Sequence, residues 1–199
     1  MSDNSASMLT LVLGSSSPFR RELLGRLGLP FECHSPDIDE SARAGEAPRD
    51  LVARLSEAKA RAVAGAWPQA LIIGSDQVAV VDDEILGKPG SHEKARAQLA
   101  RLSGRSVTFL TGLCLYNSNL DRVQLDVVPY SVEFRDLTAE QIERYLEREQ
   151  PYNCAGSFRS EALGVTLFRR MQGDDPNALV GLPLIRLVEM LAEEGVVLP

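Results

Sequence analysis

Apolar runs alternate with helical stripes along this chain, and together they predict an α/β protein. Continuous apolar runs at residues 9–13 and 71–81 are typical of strands buried on both faces. Between them, residues 49–66 place apolar side chains three and four positions apart, which predicts an amphipathic helix. The same reasoning predicts further helices at residues 17–27, 91–102, 139–149 and 183–194.

The second half of the pattern adds antiparallel strands. Residues 107–116 and 123–134 flank a polar turn at 117–119 and predict a long hairpin. Thr138 and Gln141 have the spacing of a capping box at the start of the following helix. The expected fold class is therefore α/β with a mixed sheet and flanking helices. Short strands are predicted at 31–34 and 165–169, and turns at 82–83 and 174–177.

The first strand runs directly into a serine-rich turn and a helix. Ser17 occupies the N-cap position and Pro18 the first helical position. Backbone N–H groups at such a helix start attract anions, and Arg20 and Arg21 could add guanidinium groups for phosphate. An ordinary strand-to-helix turn explains the same residues equally well.

Several charged residues fall where charge is unexpected. Asp76 interrupts the most hydrophobic strand, where an unpaired carboxylate would cost several kcal/mol. The alternative is that Asp76 caps a loop at a break in the strand. Asp39 and Glu40 lie in an acidic loop and could join Asp76 in binding Mg²⁺ or Mn²⁺, since both cations prefer oxygen ligands.

Two lysines have equally ambiguous positions. Lys59 lies on the apolar stripe of its helix. Either its ammonium group is buried with a function, or the stem is buried and the ammonium group extends to solvent. Lys88 lies beside a proline at a helix entry, which suits phosphate binding and is also a common turn. Several cations together with carboxylates and a metal are what phosphoryl or pyrophosphoryl hydrolysis requires.

Composition narrows the class of protein. The chain has 199 residues and a net charge of −7, which argues against nucleic acid as a partner. Three distant cysteines without a C-x-x-C pair are expected to be buried or half-buried free thiols in a reducing compartment. No signal peptide or membrane span is evident. We expect a cytoplasmic protein with a disordered leader at residues 1–7 and one domain at residues 8–199.

These motifs, taken in order, resemble the Maf family of nucleoside triphosphate pyrophosphatases over nearly the whole chain. The resemblance implies a two-lobed α/β fold similar to the inosine triphosphatase group, with the nucleotide in the cleft. It also implies hydrolysis of a nucleoside triphosphate to the monophosphate and pyrophosphate with a divalent metal, Mg²⁺ or Mn²⁺, in a protein that is often a homodimer. The matching motifs are Ser15-Ser-Ser-Pro-Phe-Arg20, Pro36-Asp-Ile-Asp-Glu40, Glu57-Ala-Lys59, Gly74-Ser-Asp-Gln77, Gly87-Lys-Pro89, Ser103-Gly104, Thr111-Gly112, Ala155-Gly-Ser157 and Val180-Gly-Leu-Pro183.

The resemblance also implies roles for individual residues. The family's catalytic aspartate, described as a proton acceptor, falls on Asp76, and Glu40 would hold the metal with it. Asp76 is open to either role, although an ionised carboxylate is a weak base and a metal-activated water is physically easier. The triphosphate would be held by Ser15, Ser17, Arg20, Lys59 and Lys88.

Three positions distinguish branches of this family. The branch for dTTP and UTP typically has Arg, Thr and Gln where this chain has Phe19, Gln77 and Glu161, and this pattern resembles the branch that prefers 7-methyl-GTP. An aromatic face such as Phe19 suits a cationic 7-methylguanine ring, and an ionised Glu161 accepts from the N1–H and N2–H₂ donors of guanine. Helix packing for Phe19 and a solvated loop for Glu161 are the alternatives.

Two other functions stay open at this point. One is a pyrophosphatase for dTTP and UTP, or for a broad range of nucleotides. The other is a nucleotide-binding regulator of cell division and septum formation that does not turn its ligand over. The presence of Asp76, Lys59 and Lys88 argues against an inactive enzyme.

Overall fold

The structure, a computed structural model, describes residues 9–199 and forms them into alternating strands and helices. The strands are β1 (Thr10–Leu13), β2 (Glu32–Cys33), β3 (Ala70–Val81), β4 (Glu84–Leu86), β5 (Ser106–Asn117), β6 (Arg122–Phe134) and β7 (Phe168–Gln172). The helices are α1 (Pro18–Gly25), α2 (Pro48–Ala64), α3 (His92–Leu102), α4 (Ala139–Glu149), α5 (Pro176–Val180) and α6 (Leu184–Glu193). Two short 3₁₀ turns, Ala155–Ser157 and Leu163–Leu167, follow α4.

Within the described residues, the strands form one mixed sheet in the order β2-β1-β3-β5-β6-β7, with β4 paired to β3. β1 runs parallel to both β2 and β3, and the later pairs are antiparallel. The prediction of a mixed sheet is therefore confirmed. The chain leaves β1 on one side to form β2 and returns on the other side to form β3, which makes the carboxyl end of β1 a topological switch point.

Of the four hydrophobic clusters in the described part of the chain, two lie at opposite ends of the three long strands. The first half of β3 and the second half of β5 pack with α1 and α6, through residues such as Ile73 and Leu187. The opposite ends of these strands, with β6, pack with α3 and α4, through residues such as Phe109 and Leu146. The fold is thus two-lobed around one sheet, and the middle of β3 lies between the lobes.

Two glycines let α2 approach the sheet closely. A Cβ atom on Gly74 would lie 2.0 Å from the carbonyl oxygen of Ser56, and one on Gly112 would lie 2.4 Å from the carbonyl oxygen of Val52. Real Cβ atoms do not approach other atoms this closely, so larger residues would displace the helix. The absence of side chains at these positions brings the middle of α2, from Val52 to Ala60, against the centres of β3 and β5.

Some local predictions are wrong. The predicted strand at 165–169 is instead the 3₁₀ turn at residues 163–167 followed by β7. The predicted turn at 174–177 contains the start of α5, where Asp175 caps the helix. The turn at 82–83 leads into the short strand β4, which the apolar pattern does not reveal.

Other local predictions are confirmed. The side chain of Ser17 accepts a hydrogen bond from the backbone of Arg20, and Thr138 and Gln141 form the capping box at α4. The predicted leader at residues 1–7 lies outside the described residues. No helix within residues 9–199 is long and apolar enough to cross a membrane.

Candidate active site

A cavity of about 790 Å³ lies between the two lobes, at the switch point beside β1. The opening arises because β1 pairs with residues 70–73 of β3 and β4 pairs with residues 79–81, which leaves the middle of that strand edge uncovered. Arg21 and Asp39, two further candidates from the sequence, are not among the residues that line this cavity, whereas all ten residues with roles implied by the family resemblance line it. These ten are Ser15, Ser17, Phe19, Arg20, Glu40, Lys59, Asp76, Gln77, Lys88 and Glu161.

An ammonium group between two carboxylates forms the floor of the cleft. Lys59 Nζ donates to Asp76 Oδ1 at 2.6 Å and to Glu40 Oε2 at 2.8 Å. Lys59 is only 5% exposed, so its ammonium group is not extended into solvent. β3 continues through Asp76, which excludes a strand break at that position. The backbone N–H of Asp76 donates to the hydroxyl of Ser56 on α2, which fixes this carboxylate relative to the helix.

The serine-rich turn before α1 lines the cavity beside Lys59, Asp76 and Glu40. The hydroxyl of Ser15 accepts from the backbone N–H of Ser17, which shapes the turn before α1. Arg20, one turn into the helix, donates through Nε to the carbonyl oxygen of Gly181 at 2.8 Å. Burial lowers the pKa of Arg20 from its ordinary value, and the negative charges of Asp76 and Glu40 oppose that effect. Because arginine remains charged at neutral pH, the turn carries a fixed cation into the cleft.

Gln77 contributes to the opposite wall through its amide. Its Nε2 lies 2.9 Å from the hydroxyl of Thr111 and 2.7 Å from the carbonyl oxygen of Ala178 at α5. Side chains alternate along β3, so Gln77 and Ser75 face α5 while Asp76 faces α2. Ser75 donates to the carbonyl oxygen of Gly181. This network holds α5 and the glycine after it against the sheet.

The loop that carries Glu40 is anchored by an arginine of α2. Arg54 donates to both carboxylate oxygens of Glu46, at 2.6 and 2.7 Å, and to the carbonyl oxygen of Ser41. These hydrogen bonds with Arg54 lower the pKa of Glu46 to about 2. The anchor therefore stays ionised at neutral pH and keeps Glu40 near Lys59.

The outer part of the cleft is formed by residues from both lobes. Phe19 is half-buried on α1, whereas Lys88 and Glu161 are exposed on loops of the other lobe. Arg159, which the sequence pattern does not single out, lies across from Phe19, with its Cζ 5.9 Å from the ring centroid. A positively charged aromatic ligand would therefore find both an aromatic face and a carboxylate at this end.

The cleft floor offers two carboxylates to a divalent metal. Within residues 9–199, no group of three or more His, Cys, Asp or Glu side chains is arranged to hold one. Asp76 and Glu40 nevertheless converge on a single cation, the ammonium group of Lys59. Mg²⁺ is commonly held by one or two carboxylates together with substrate phosphates, so this pair fits a metal that arrives with a triphosphate.

Sequence reasoning assigned no supporting role to three buried hydroxyl groups, those of Ser56, Ser75 and Thr111. The Ser56 hydroxyl accepts from the backbone N–H of Asp76, and the other two donate to carbonyl oxygens that also accept from Arg20 and Gln77. Buried hydroxyl groups in apolar segments were the available signal. Arg159 carried no such signal, because one arginine in a loop has no distinguishing pattern.

The fold and the cleft define the class of this protein, a two-lobed α/β protein with a cation-lined cleft at a sheet switch point. The Ham1 protein of Staphylococcus aureus has a similar fold, with a TM-score of 0.50 over 94% of this chain and 99% of that chain. At 15% identity, this likeness concerns the fold alone. The chain belongs to the Maf family, whose model, described as Maf-like protein, matches residues 10–194.

Several relatives named 7-methyl-GTP pyrophosphatase are similar along almost the whole chain. The one from Pseudomonas aeruginosa is 62% identical over 96% of this chain and 100% of its own length. The one from Nitrosococcus oceani is 61% identical over 94% of each chain. The one from Methylobacillus flagellatus is 59% identical over 95% of this chain and 98% of its own.

Proposed function

We propose that this chain hydrolyses 7-methyl-GTP to 7-methyl-GMP and pyrophosphate and so removes a modified nucleotide from the pool. The observation that carries the proposal is that Phe19 and Glu161 line one cleft in a chain about 60% identical to relatives of that name. A cationic 7-methylguanine ring gains a cation–π interaction on the face of Phe19. The carboxylate of Glu161 accepts from the N1–H and N2–H₂ groups of the base.

In the proposed reaction, different residues of the cleft act on the phosphates and on the attacking water. A water oxygen bonds to the α-phosphorus, and the bond from that phosphorus to the bridging oxygen breaks, so pyrophosphate leaves with the electron pair. Cations positioned before the reaction stabilise the negative charge that develops on the phosphates. In this proposal the phosphates are bound by Ser15, Ser17, Arg20, Lys59 and Lys88.

Asp76 and Glu40 act on the water and the metal. Asp76 either accepts the proton of the attacking water or joins Glu40 as a metal ligand. Mg²⁺ or Mn²⁺, held by these carboxylates, would reduce the charge on the phosphates and make water a better nucleophile. The contact of Lys59 with both carboxylates keeps them together before substrate arrives.

A panel of nucleoside triphosphates tests the proposed substrate. We expect pyrophosphate release with the highest kcat/KM for 7-methyl-GTP, full loss of activity with EDTA, and recovery with Mg²⁺ or Mn²⁺. Phe19→Ala should remove most of the preference over GTP, since the cation–π contact is lost. Faster turnover of dTTP or UTP would instead support the pyrimidine or broad-specificity alternative.

The substitution Asp76→Asn distinguishes the hypothesis of an enzyme from that of a nucleotide-binding regulator of cell division. The substitution keeps the size of the side chain but removes its negative charge. We expect hydrolysis to fall at least 1,000-fold while nucleotide binding, measured by calorimetry, persists. Unchanged turnover in this variant would refute the catalytic role of Asp76.

Two further expectations come from the family resemblance. A homodimer would appear in light scattering at twice the mass of one chain. A cytoplasmic location would appear in cell fractionation. Both remain predictions, and neither is needed for the proposed reaction.

A further inference from the structure

Arg159 has a buried hydrogen-bond donor with no partner in the wall of the cleft. Its side chain lines the cavity together with Phe19 and Glu161. Its Nε is shielded from solvent and makes no hydrogen bond with any of the described residues. Buried donors in proteins are almost always paired. An unpaired donor at a cleft therefore indicates that its acceptor is supplied by a ligand.

The backbone of Arg159 is fixed on both sides. Its N–H donates to the hydroxyl of Tyr145 at 3.1 Å. Its carbonyl oxygen packs against Gly164, where a Cβ atom would lie only 2.1 Å away. The side chain therefore extends from a rigid position, which is the arrangement expected of a residue that recognises a ligand.

We propose that Arg159 donates a hydrogen bond to O6 of a guanine base, next to Glu161, which accepts from the adjacent N–H donors. This inference rests on the proposed function and deepens it. Guanine presents O6, N1–H and N2–H₂ along one edge. Arginine is only a donor and an ionised glutamate is only an acceptor, so residues 159 and 161 on one wall match that edge.

The position of Phe19 supports this assignment. The guanidinium carbon of Arg159 lies over the Phe19 ring, 5.9 Å from its centroid. A base that stacks on this face takes the place of the guanidinium group, and its edge then lies within reach of the long arginine side chain. The opposite charges of Arg159 and Glu161 cancel, so the wall carries no net charge that would repel a cationic 7-methylguanine.

The experiment compares two monophosphates that differ at position 6 and at the neighbouring N1 of the base. GMP carries O6 and N1–H, whereas 2-aminoadenosine monophosphate carries an amino group at position 6 and an unprotonated N1, so the role of Arg159 is measured by how the variants change each constant relative to the wild type. Their inhibition constants are measured against hydrolysis of 7-methyl-GTP in the wild type, Arg159→Met and Arg159→Lys. We expect Arg159→Met to raise the constant for GMP about tenfold and that for the analogue less than twofold. Arg159→Lys, which retains a donor, should recover most of the preference.

The control is Arg144→Met, which removes an exposed arginine of α4 outside the cleft and should change neither constant. If Arg159→Met raised the inhibition constants of both monophosphates equally, Arg159 would bind a group that both share, such as the phosphate. That result would overturn the inference. No change for either would overturn it as well. Failure of the proposed function would appear differently, because the wild type would then not hydrolyse 7-methyl-GTP. In that case the dissociation constants of the same two monophosphates are compared by calorimetry.

Discussion

At the residue scale, Lys59 combines an apolar stem with a charge that the cleft needs. Its methylene groups continue the buried stripe of α2, and its ammonium group contacts Asp76 and Glu40. Two carboxylates that bond to one ammonium group would repel each other without it. Lys59 therefore holds both carboxylates in place, and in the proposed function it also provides a cation for phosphate.

Replacing Lys59 with methionine tests this double role. Methionine keeps most of the apolar stem, so α2 should still pack, but Asp76 and Glu40 lose their shared partner. We expect kcat/KM for pyrophosphate release to fall at least 100-fold, with a smaller effect on the unfolding midpoint. The measurements are steady-state kinetics and urea denaturation.

Arg61→Met on the same helix is the matched control. Arg61 is 44% exposed and pairs with Glu57 and Asp121 on the surface, and such pairs contribute little to stability. Its loss should change kcat/KM less than twofold. If Lys59→Met retained activity within threefold of the wild type, the role assigned to Lys59 would be wrong.

Single residues were predictable where their chemistry conflicted with their surroundings. Asp76 in an apolar strand and Lys59 on an apolar stripe both conflict with the pattern around them, and both line the cleft. Arg159 conflicts with nothing in its loop, so only the structure reveals its unpaired donor. Cys33 was expected to be at least half-buried and is exposed, because the two-residue strand β2 lies at the sheet edge.

At the element scale, the contact between α2 and the sheet sets the geometry of the cleft floor. Gly112 pairs with Asp76 across β3 and β5. It lies beneath α2, where a Cβ atom would be 2.4 Å from the Ser56 hydroxyl oxygen. That hydroxyl accepts from the backbone N–H of Asp76. The glycine therefore makes room for the contact that positions the carboxylate.

Gly112→Ala should disturb stability and activity together. The added methyl group pushes α2 outward, and overpacking of this kind costs about 1–3 kcal/mol. The displaced helix also carries Lys59 away from Asp76, so we expect kcat/KM to fall at least tenfold. Urea denaturation and pyrophosphate release measure the two effects on the same preparation.

Gly25→Ala provides the comparison. Gly25 ends α1, and a Cβ atom there would meet nothing within 4 Å. Alanine is the better helix former, so the free energy of unfolding should stay equal or rise by up to about 1 kcal/mol. Equal behaviour of the two alanine variants would show that α2 does not depend on the glycine below it.

Elements were predictable when their pattern was long enough to be distinctive. Helices α2 and α4 and the hairpin of β5 and β6 have many periods of the expected repeat. The segment Leu163–Leu167 alternates apolar and small or polar residues as a strand does, yet it forms a 3₁₀ turn before β7. Strand β4 and helix α5 have three and five residues, too few for a period to appear.

At the scale of the whole molecule, the site exists only because distant segments meet. Glu40, Lys59 and Asp76 come from a loop, a helix and a strand, and Glu161 comes from the other lobe. The sequence indicates the chemistry of these residues, but their distances depend on how α2 and the long strands pack. The three cysteines lie in different parts of this fold, in β2, in β5 and in the wall of the cleft, so the reactivity of each thiol measures the accessibility of its own region.

Thiol alkylation provides a readout of the whole fold. Cys33 is exposed, Cys154 lines the cleft, and Cys114 is buried in β5. Burial raises the pKa of Cys114 to about 12 and also raises that of Cys154. Because the thiolate is the reactive form, Cys33 should be alkylated first, Cys154 slowly, and Cys114 only after unfolding.

Bound nucleotide should change one of these rates. With EDTA present to prevent turnover, saturating 7-methyl-GMP or 7-methyl-GTP fills the cleft beside Cys154 and should slow its alkylation by iodoacetamide at least fivefold. Mass spectrometry of the peptides measures each cysteine separately, and Cys33, away from the cleft, serves as the internal control. Slowing at Cys33 as well would indicate a general effect on the reagent or the fold. If Cys154 reacted at the same rate with nucleotide bound, as measured by calorimetry under the same conditions, the nucleotide would not occupy the cleft that the predicted site residues line.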